Sequence, residues 1–392
     1  MKGTEMQKIR FLSFLVAVAS MSLGITSLFA QEAKPEGETT AQPVASTQEE
    51  KKVEVVGYNK GFFIQSADEK FRMVVGGYIQ GLFEGRVVEN GNDTDTIRVR
   101  RARLKWSGHM FTKKAQYALE YDFSSSKLLD GFLQLTHSDP LKFRVGQYYV
   151  PFNLEGVTSS SNLQFVDRSI LQAAFGIADE REPGTGFNGS LMDKKVEYDV
   201  GLFNGEGLNT TNSNNEFRYA GRVVYNVAGH HGTEFSDTKQ SEEPNMAIAV
   251  GGMFNDTQDI PSGATAPIGE KKVGSFTGDV AAKYRGLGFH TGFLYQHINP
   301  DTGASVDDKG WLAQIGYFVI PKHLEVAGRV AQLYAESTKD KGEYTFGLNY
   351  FIHSGHQMKF QFDYSALTED NGVSATDNRL DHRVRAQLQF KI

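Results

Sequence analysis

The carboxyl-terminal stretch alternates between apolar and polar side chains. Val384, Ala386, Leu388, Phe390 and Ile392 share one parity. The positions between them carry charged or amide side chains, as does the position before: Arg383, Arg385, Gln387, Gln389 and Lys391. Because successive side chains of a strand point to opposite faces, this stretch predicts a strand with one apolar face and one polar, basic face.

The same alternation recurs along the chain, without the compact apolar runs of a soluble core. Ala102, Leu104 and Trp106 oppose a basic face, and Tyr344 and Phe346 belong to a similar apolar row. A sheet in lipid must close on itself, because an open edge would leave backbone groups unpaired. The pattern therefore predicts an all-β fold, a transmembrane antiparallel β-barrel over residues 58–392. At roughly 20 residues for each strand and its connection, the barrel has about 16 strands.

The first 57 residues lack this pattern. Residues 1–30 combine the basic residues Lys2, Lys8 and Arg10 with an apolar run and a small residue, Ala30, which predicts a secretory signal peptide. Residues 31–57 are mostly polar and predict a disordered periplasmic tail. Export combined with a barrel predicts the outer membrane of a Gram-negative-type bacterium.

Composition excludes several kinds of chemistry. With no cysteine among 392 residues, disulfides and thiolate metal sites are ruled out. The net charge of −6 gives no overall basic field for nucleic acid. His230 and His231, like His353 and His356, lack a surrounding set of carboxylates, so we expect no metal and no cofactor.

Residues 98–123 predict a hairpin whose polar faces carry opposite charges. A turn centred near residues 111–112 pairs Arg103 with Glu120 and Arg101 with Asp122, and opposite charges facing each other across a sheet attract. The arginines serve either as partners in an ion-pair ladder or as an anion path, and both roles are compatible.

The segment from Pro151 to about Gly184 alternates poorly. It contains the hydroxyl run Thr158–Ser161 and the apolar residues Ile170, Leu171 and Phe175. A long loop with apolar anchors is not expected to extend into solvent, so we expect this loop to fold into the lumen and narrow it.

Several motifs resemble those of the phosphate-selective porin O/P family. They cover residues 58–190 most strongly and include Arg100-Arg-Ala-Arg-Leu104, Phe143-Arg-Val-Gly-Gln147 and Phe165-Val-Asp-Arg-Ser169. The resemblance implies a 16-stranded trimeric porin with a constriction loop from Val150 to about Gly176. The loop residues singled out are Thr158, Ser159, Ser160, Asp167 and Arg168.

The family's anion path uses lumenal arginines and lysines. The resemblance implies this role for Arg101, Arg103, Lys105, Lys142, Arg144 and Arg168, and inward parity adds Arg218, Arg222, Arg383 and Arg385. Acidic residues are interleaved with these bases, namely Glu120, Asp122, Asp130 and Asp167.

The sequence therefore predicts an outer-membrane porin for small hydrophilic solutes that prefers anions, and not an enzyme. Its expected partners are outer-membrane lipid and lipopolysaccharide, small anions such as phosphate, the barrel-assembly machinery acting on the last strand, and two further copies in a homotrimer. Three alternatives stay open. One is a non-selective general porin. Another is a closed structural or adhesion barrel with external binding loops at 228–244 and 255–272. The third is a barrel hydrolase with a serine nucleophile.

Overall fold

The computed structural model describes residues 55–89, 91–177, 181–259, 269–353, 355–370 and 379–392. The predicted signal peptide and most of the predicted tail lie outside these residues.

In the described part, no helix is long and apolar enough to cross a membrane. The strands are β1 (Val56–Tyr58), β2 (Phe62–Gln65), β3 (Arg72–Val87), β4 (Thr94–His109), β5 (Ala115–Asp122), β6 (Lys127–Ser138), β7 (Leu141–Tyr149), β8 (Arg181–Leu191), β9 (Val196–Phe203), β10 (Arg218–Ala228), β11 (Asn245–Asp259), β12 (Gly269–Tyr284), β13 (Leu287–Pro300), β14 (Val306–Ile320), β15 (Leu324–Ala335), β16 (Asp340–His353), β17 (Met358–Asp370) and β18 (Arg379–Lys391).

Strands β3 to β18 form a closed antiparallel barrel of sixteen strands, as predicted. Each strand pairs with its neighbours in the chain, and the last strand pairs with the first. In this closure Arg385 lies opposite Glu84, and Lys391 lies opposite Tyr78. Two backbone hydrogen bonds between Gly77 and Ile392 continue the seam. The backbone of the carboxyl-terminal strand is therefore paired on both sides.

The burial pattern is the reverse of that in a soluble sandwich. On β18, Leu388 and Phe390 expose 39% and 46% of their surface, whereas Arg385 and Gln389 expose none. Similar rows of exposed aromatic and aliphatic residues follow the other strands. An apolar exterior around a charged interior is the arrangement that lipid outside and water inside require.

The two ends of the barrel differ in their connections. At one end, β12 and β13 are joined by Arg285 and Gly286 alone, and β14 and β15 by residues 321–323; we call this the short-turn end. The opposite, long-loop end carries connections such as 204–217. The connection 229–244, expected as an external loop, lies at the short-turn end, because β10 runs toward that end.

Two boundaries differ from the prediction. Val56 and Gly57, assigned to the tail, pair with Ile64 and Phe63 in the β1–β2 hairpin, which adds to the start of β3. Half of the predicted loop 255–272 is strand, because β11 and β12 stay paired as far as Asp259 and Gly269. The remainder of that loop lies outside the described residues.

A charge on the outer face should destabilise the barrel. Val250 lies near the middle of β11 and exposes 48% of its surface, so Val250→Arg should place a guanidinium in hydrocarbon. Near the midplane this costs about 2–4 kcal/mol. Urea unfolding in liposomes, with Val250→Ala as the control for lost contacts, measures the difference. Equal stability of the two variants would contradict an outer face in lipid.

Candidate functional site

A long connection from β7 folds into the barrel and forms the main feature of the lumen. This inward loop, residues 150–177, contains the helix α1 (Leu154–Val157), a 3₁₀ turn (Ser160–Asn162) and the helix α2 (Ile170–Ala174). The side chain of Asn153 caps α1 by accepting a hydrogen bond from the Gly156 amide at 2.8 Å. The Glu155 carboxylate accepts hydrogen bonds from the amide and the hydroxyl of Ser169, at 3.0 and 2.6 Å. The loop is therefore folded by its own polar groups.

The inward loop crosses the lumen to the opposite wall. It leaves the barrel at β7, and α2 packs against β14, β15 and β16, about half of the ring away. Leu171 and Phe175 are buried there in a cluster with Leu312 and Leu333. At another point, the ammonium of Lys359 on β17 donates to the Leu163 carbonyl at 2.9 Å. The apolar anchors that the sequence predicted thus hold the loop inside the barrel.

Glycines of the wall make space for this loop. A Cβ at Gly251 would lie 2.2 Å from the Phe152 carbonyl oxygen, and one at Gly310 would lie 2.6 Å from a methyl group of Leu171. A larger residue at either position would displace the loop. The wall and the loop are therefore fitted to each other.

Asp167, in the second half of the inward loop, contacts three arginines. Its carboxylate oxygens lie 2.7 Å from the guanidinium of Arg101, 3.2 Å from that of Arg100 and 3.5 Å from that of Arg385. Burial by itself raises the pKa of a carboxyl group. At Asp167 the charges of Arg101, Arg100 and Arg385 outweigh burial, so the pKa lies well below its ordinary value of 3.8.

A β-bulge brings Arg100 into this cluster. Opposite β3, Gln80 pairs with Arg101 and Gly81 pairs with Val99, so Arg100 is the extra residue. A bulge changes the direction of neighbouring side chains. Two consecutive arginines consequently reach the same carboxylate, which strict alternation would not allow.

Arg168 lies inside the inward loop and binds the loop itself. Its guanidinium donates to the carbonyls of Glu155 and Thr158, at 2.7 and 2.6 Å, and to the Ser160 hydroxyl at 3.2 Å. The Thr158 hydroxyl donates to the Leu154 carbonyl, and the Ser159 and Ser161 hydroxyls are 3.1 Å apart. The predicted loop residues are thus brought together, and Arg168 joins two parts of the loop.

The predicted hairpin between β4 and β5 exists, but its register is shifted by two residues. Arg103 lies opposite Asp122 rather than Glu120, and Lys105 lies opposite Glu120. The cause is the turn, which contains Phe111 with φ +66° and is centred one residue later than predicted. Arg101 is thereby freed from Asp122 to reach Asp167.

Most other predicted cations form ion pairs with lumenal carboxylates. Arg222 contacts both oxygens of Asp279, at 2.7 and 2.8 Å. The remaining pairs are Arg103–Asp122 at 2.9 Å, Arg144–Asp199 at 3.3 Å, Arg218–Glu182 at 2.8 Å and Arg385–Asp363 at 2.7 Å. These guanidiniums are held in fixed positions on the wall.

Three predicted cations are more available to a solute. Lys105 exposes 44% of its side chain and lies 4.0 Å from Glu120. Lys142 is half-buried. Arg383 is also half-buried, donates to the Ser365 hydroxyl at 3.5 Å and has no carboxylate partner among the described residues. Lys142 and Arg383 therefore offer charge to the lumen that no described carboxylate pairs with, and Lys105 offers charge that only a long contact with Glu120 offsets.

Arg181 and Arg329 also belong to the lumenal network, although the sequence analysis did not select them. Arg181 pairs with Asp130 at 2.7 Å, and Arg329 contacts Glu343 and donates to the Asp167 carbonyl at 3.1 Å. Inward parity identifies Arg329. Arg181 begins β8 directly after the irregular loop, where no alternation precedes it.

Comparison with known proteins identifies the fold. The family model described as phosphate-selective porin O and P matches residues 78–392. An anion-selective porin from Comamonas acidovorans is similar in structure, with a TM-score of 0.59 and 11% identity, covering 82% of this chain and 99% of that one. The outer membrane channel DcaP of Acinetobacter baumannii gives a TM-score of 0.57 at 11% identity, covering 84% and 99%. The trimer form of OmpT, an outer membrane protein of Vibrio cholerae, gives 0.53 at 12%, covering 81% and 99%. No curated protein matches the sequence significantly.

The Asp167 cluster predicts a specific acid sensitivity. Because the pKa of Asp167 is lower in the folded protein than its ordinary 3.8, its ion pairs stabilise fully above that value, and the stabilisation is lost as pH falls below it. We expect Asp167→Asn to lower the unfolding midpoint in urea at pH 6, with the difference from the unmodified protein shrinking toward pH 3. A difference that is constant with pH would contradict the assignment.

The contacts of Arg168 predict a loosened loop in its absence. Arg168→Ala removes three hydrogen bonds within the loop and leaves two carbonyls without this donor, so we expect a barrel that still folds but whose single-channel current is noisier and altered in amplitude. Arg168→Lys, which keeps the charge but not the forked donor, should resemble Arg168→Ala. A lysine variant identical to the unmodified channel would show that charge alone matters.

Proposed function

The chain belongs to the phosphate-selective porin O and P family, and we propose that it passes small hydrophilic anions across a bacterial outer membrane. The family resemblance predicted from the sequence is confirmed. Family and fold are those of a channel rather than an enzyme. The protein therefore forms a channel for small solutes.

The observation that supports an anion preference is the charge around the inward loop. Four arginines pair with four carboxylates there, because the Asp167 cluster continues through neighbouring strands, and a fifth arginine, Arg383, lies beside them on the Ser365 hydroxyl. The arginines are Arg100, Arg101, Arg329, Arg383 and Arg385, and the carboxylates are Glu155, Asp167, Glu343 and Asp363. The excess of one positive charge lies where the loop narrows the lumen.

This arrangement suits the passage of oxyanions. Guanidinium groups present forked donors that match the oxygens of a phosphate or carboxylate. Several weak sites in series let an ion enter and leave, whereas one strong site would retain it. Arg383 and Lys105 provide weak sites, while the paired arginines keep the wall rigid.

Membership in the family also suggests the surroundings of the protein. The proposed location is a Gram-negative-type outer membrane, reached after removal of residues 1–30, with residues 31–57 as the periplasmic tail and 58–392 as the barrel. The proposed partners are lipid, lipopolysaccharide, the barrel-assembly machinery and two further copies. The trimer form of the Vibrio cholerae protein supports the last of these.

A non-selective porin is the second candidate. The close pairing of most lumenal arginines favours it, because a paired arginine contributes little net field. The adhesion alternative loses its main motivation, since segment 229–244 lies at the short-turn end and half of 255–272 is strand.

The anion preference can be tested at Arg383. One unit charge at about 4 Å in water is worth about 1 kcal/mol, so Arg383→Gln should lower the anion-to-cation permeability ratio by up to about five-fold. Reversal potentials in a potassium chloride gradient measure this ratio, and added phosphate that blocks the chloride current would indicate phosphate preference. Lys322→Gln, in an exposed turn, is the matched control. A cation-selective unmodified channel would refute the proposal.

A further inference from the structure

The connection between β10 and β11 is unusual for its position. Residues 229–244, which we call the inner segment, contain sixteen residues. Other connections at the short-turn end, such as 110–114, 192–195 and 285–286, contain two to five. Short turns are the rule at this end of outer-membrane barrels. The excess length is therefore not needed to join the strands.

The inner segment is anchored to the wall of the lumen. Asp237 is buried, and its carboxylate accepts hydrogen bonds from the Gly286 and Ser241 amides, both at 2.8 Å. Phe235 exposes only 3% of its surface and stacks at a tilt on the His290 ring, with the ring centres 5.1 Å apart. The ammonium of Lys283 donates to the His231 carbonyl at 2.6 Å. These contacts hold the segment against β12 and β13.

The inner segment also contacts the inward loop. The Thr158 hydroxyl oxygen lies 2.7 Å from the Thr233 carbonyl oxygen, so its one proton is shared between this carbonyl and that of Leu154. Phe235 shares a small apolar cluster with Leu154 and Leu163 of the loop. The two segments enter the lumen from opposite ends and meet, so they form two layers of one obstruction.

A single wall carboxylate joins both layers. Glu325 on β15 accepts hydrogen bonds from the Gln164 amide of the loop at 2.8 Å and from the Ser236 hydroxyl of the inner segment at 2.9 Å. It exposes none of its surface, and Asn349 donates to it at 2.8 Å. A buried carboxylate needs such donors. Glu325 therefore depends on the inner segment being in place.

The wall is shaped to receive the inner segment. A Cβ at Gly288 on β13 would lie 2.3 Å from the Phe235 carbonyl oxygen. Four residues along the same face, a Cβ at Gly292 would meet only ordinary contacts, the nearest at 3.5 Å. Gly288 is therefore required for the seating of the segment, whereas Gly292 is not.

We propose that the inner segment is a second constriction, which sets the size limit of the channel from the short-turn end. This inference rests on the channel function but not on the anion preference. The space that remains beside the segment includes a cavity of about 240 Å³ along the wall, lined by Val157, Arg222, His231, Thr233 and Asp279 among others. Solutes of small size pass along the wall, and the segment excludes larger ones.

The two glycines provide a matched test. Gly288→Val fills the space that the Phe235 carbonyl occupies and so displaces the inner segment. Gly292→Val adds the same side chain to the same face of β13. We expect Gly288→Val to raise single-channel conductance in planar bilayers by about half or more, and to admit larger neutral sugars in liposome swelling. Gly292→Val should conduct no better than the unmodified channel.

A deletion supplies the second measurement if Gly288→Val does not fold. Replacing residues 230–243 by Asn-Gly should raise conductance at least as much, and shortening the connection 204–217 in the same way controls for loop length. Unchanged conductance and sugar cut-off in the deletion variant would overturn the second constriction. Reversal potentials from the same recordings test anion preference separately, so failure of one proposal is distinguishable from failure of the other.

Discussion

The structure depends on the requirement that every backbone amide and carbonyl in hydrocarbon have a partner. The pairing of β18 with β3 meets this requirement by closing sixteen strands into a ring. Closure then fixes the direction of the strand side chains, since along each strand one parity faces lipid and the other faces the lumen. Phe390 and Arg385 lie five residues apart on β18, and consequently Phe390 faces lipid whereas Arg385 faces the lumen.

A charged interior creates its own problem, because buried charges need partners. The protein solves it by placing arginines and carboxylates opposite each other on neighbouring strands, as with Arg385 and Asp363. Such pairs hold side chains in position but nearly cancel in charge. Ion preference must therefore come from small imbalances, and the Asp167 cluster, with Arg383 nearby, is where the described residues show one.

The lumen is shaped by chain segments rather than by the wall alone. A sixteen-stranded barrel is wide enough for an aqueous channel, and side chains of the wall do not fill it. The inward loop and the inner segment narrow it from opposite ends, and wall glycines such as Gly251 and Gly288 give each a seat. We consequently assign charge selection to the inward loop with the arginines around it, and size selection to the inner segment. Arginines of the wall gather around Asp167 of the inward loop, and the inner segment enters the lumen from the short-turn end.

The alternation of side chains along the chain is sufficient to predict the barrel, its approximate strand number and its closing strand, and a break in that alternation marks the irregular inward loop. The strands are predictable because their alternation has a period of two. This period is a local property, visible in each segment independently of the rest of the chain. Which charges meet depends instead on how the strands pair in the folded chain. The turn at Phe111 moved the β4–β5 register by two residues, and the bulge at Arg100 turned an additional arginine toward Asp167. The inward course of residues 229–244 was likewise invisible, because its anchors, Gly288 and Glu325, lie far away in the chain. Strand register, bulges and the contacts of a loop with distant strands all depend on which segments pair, and alternation carries no information about that pairing.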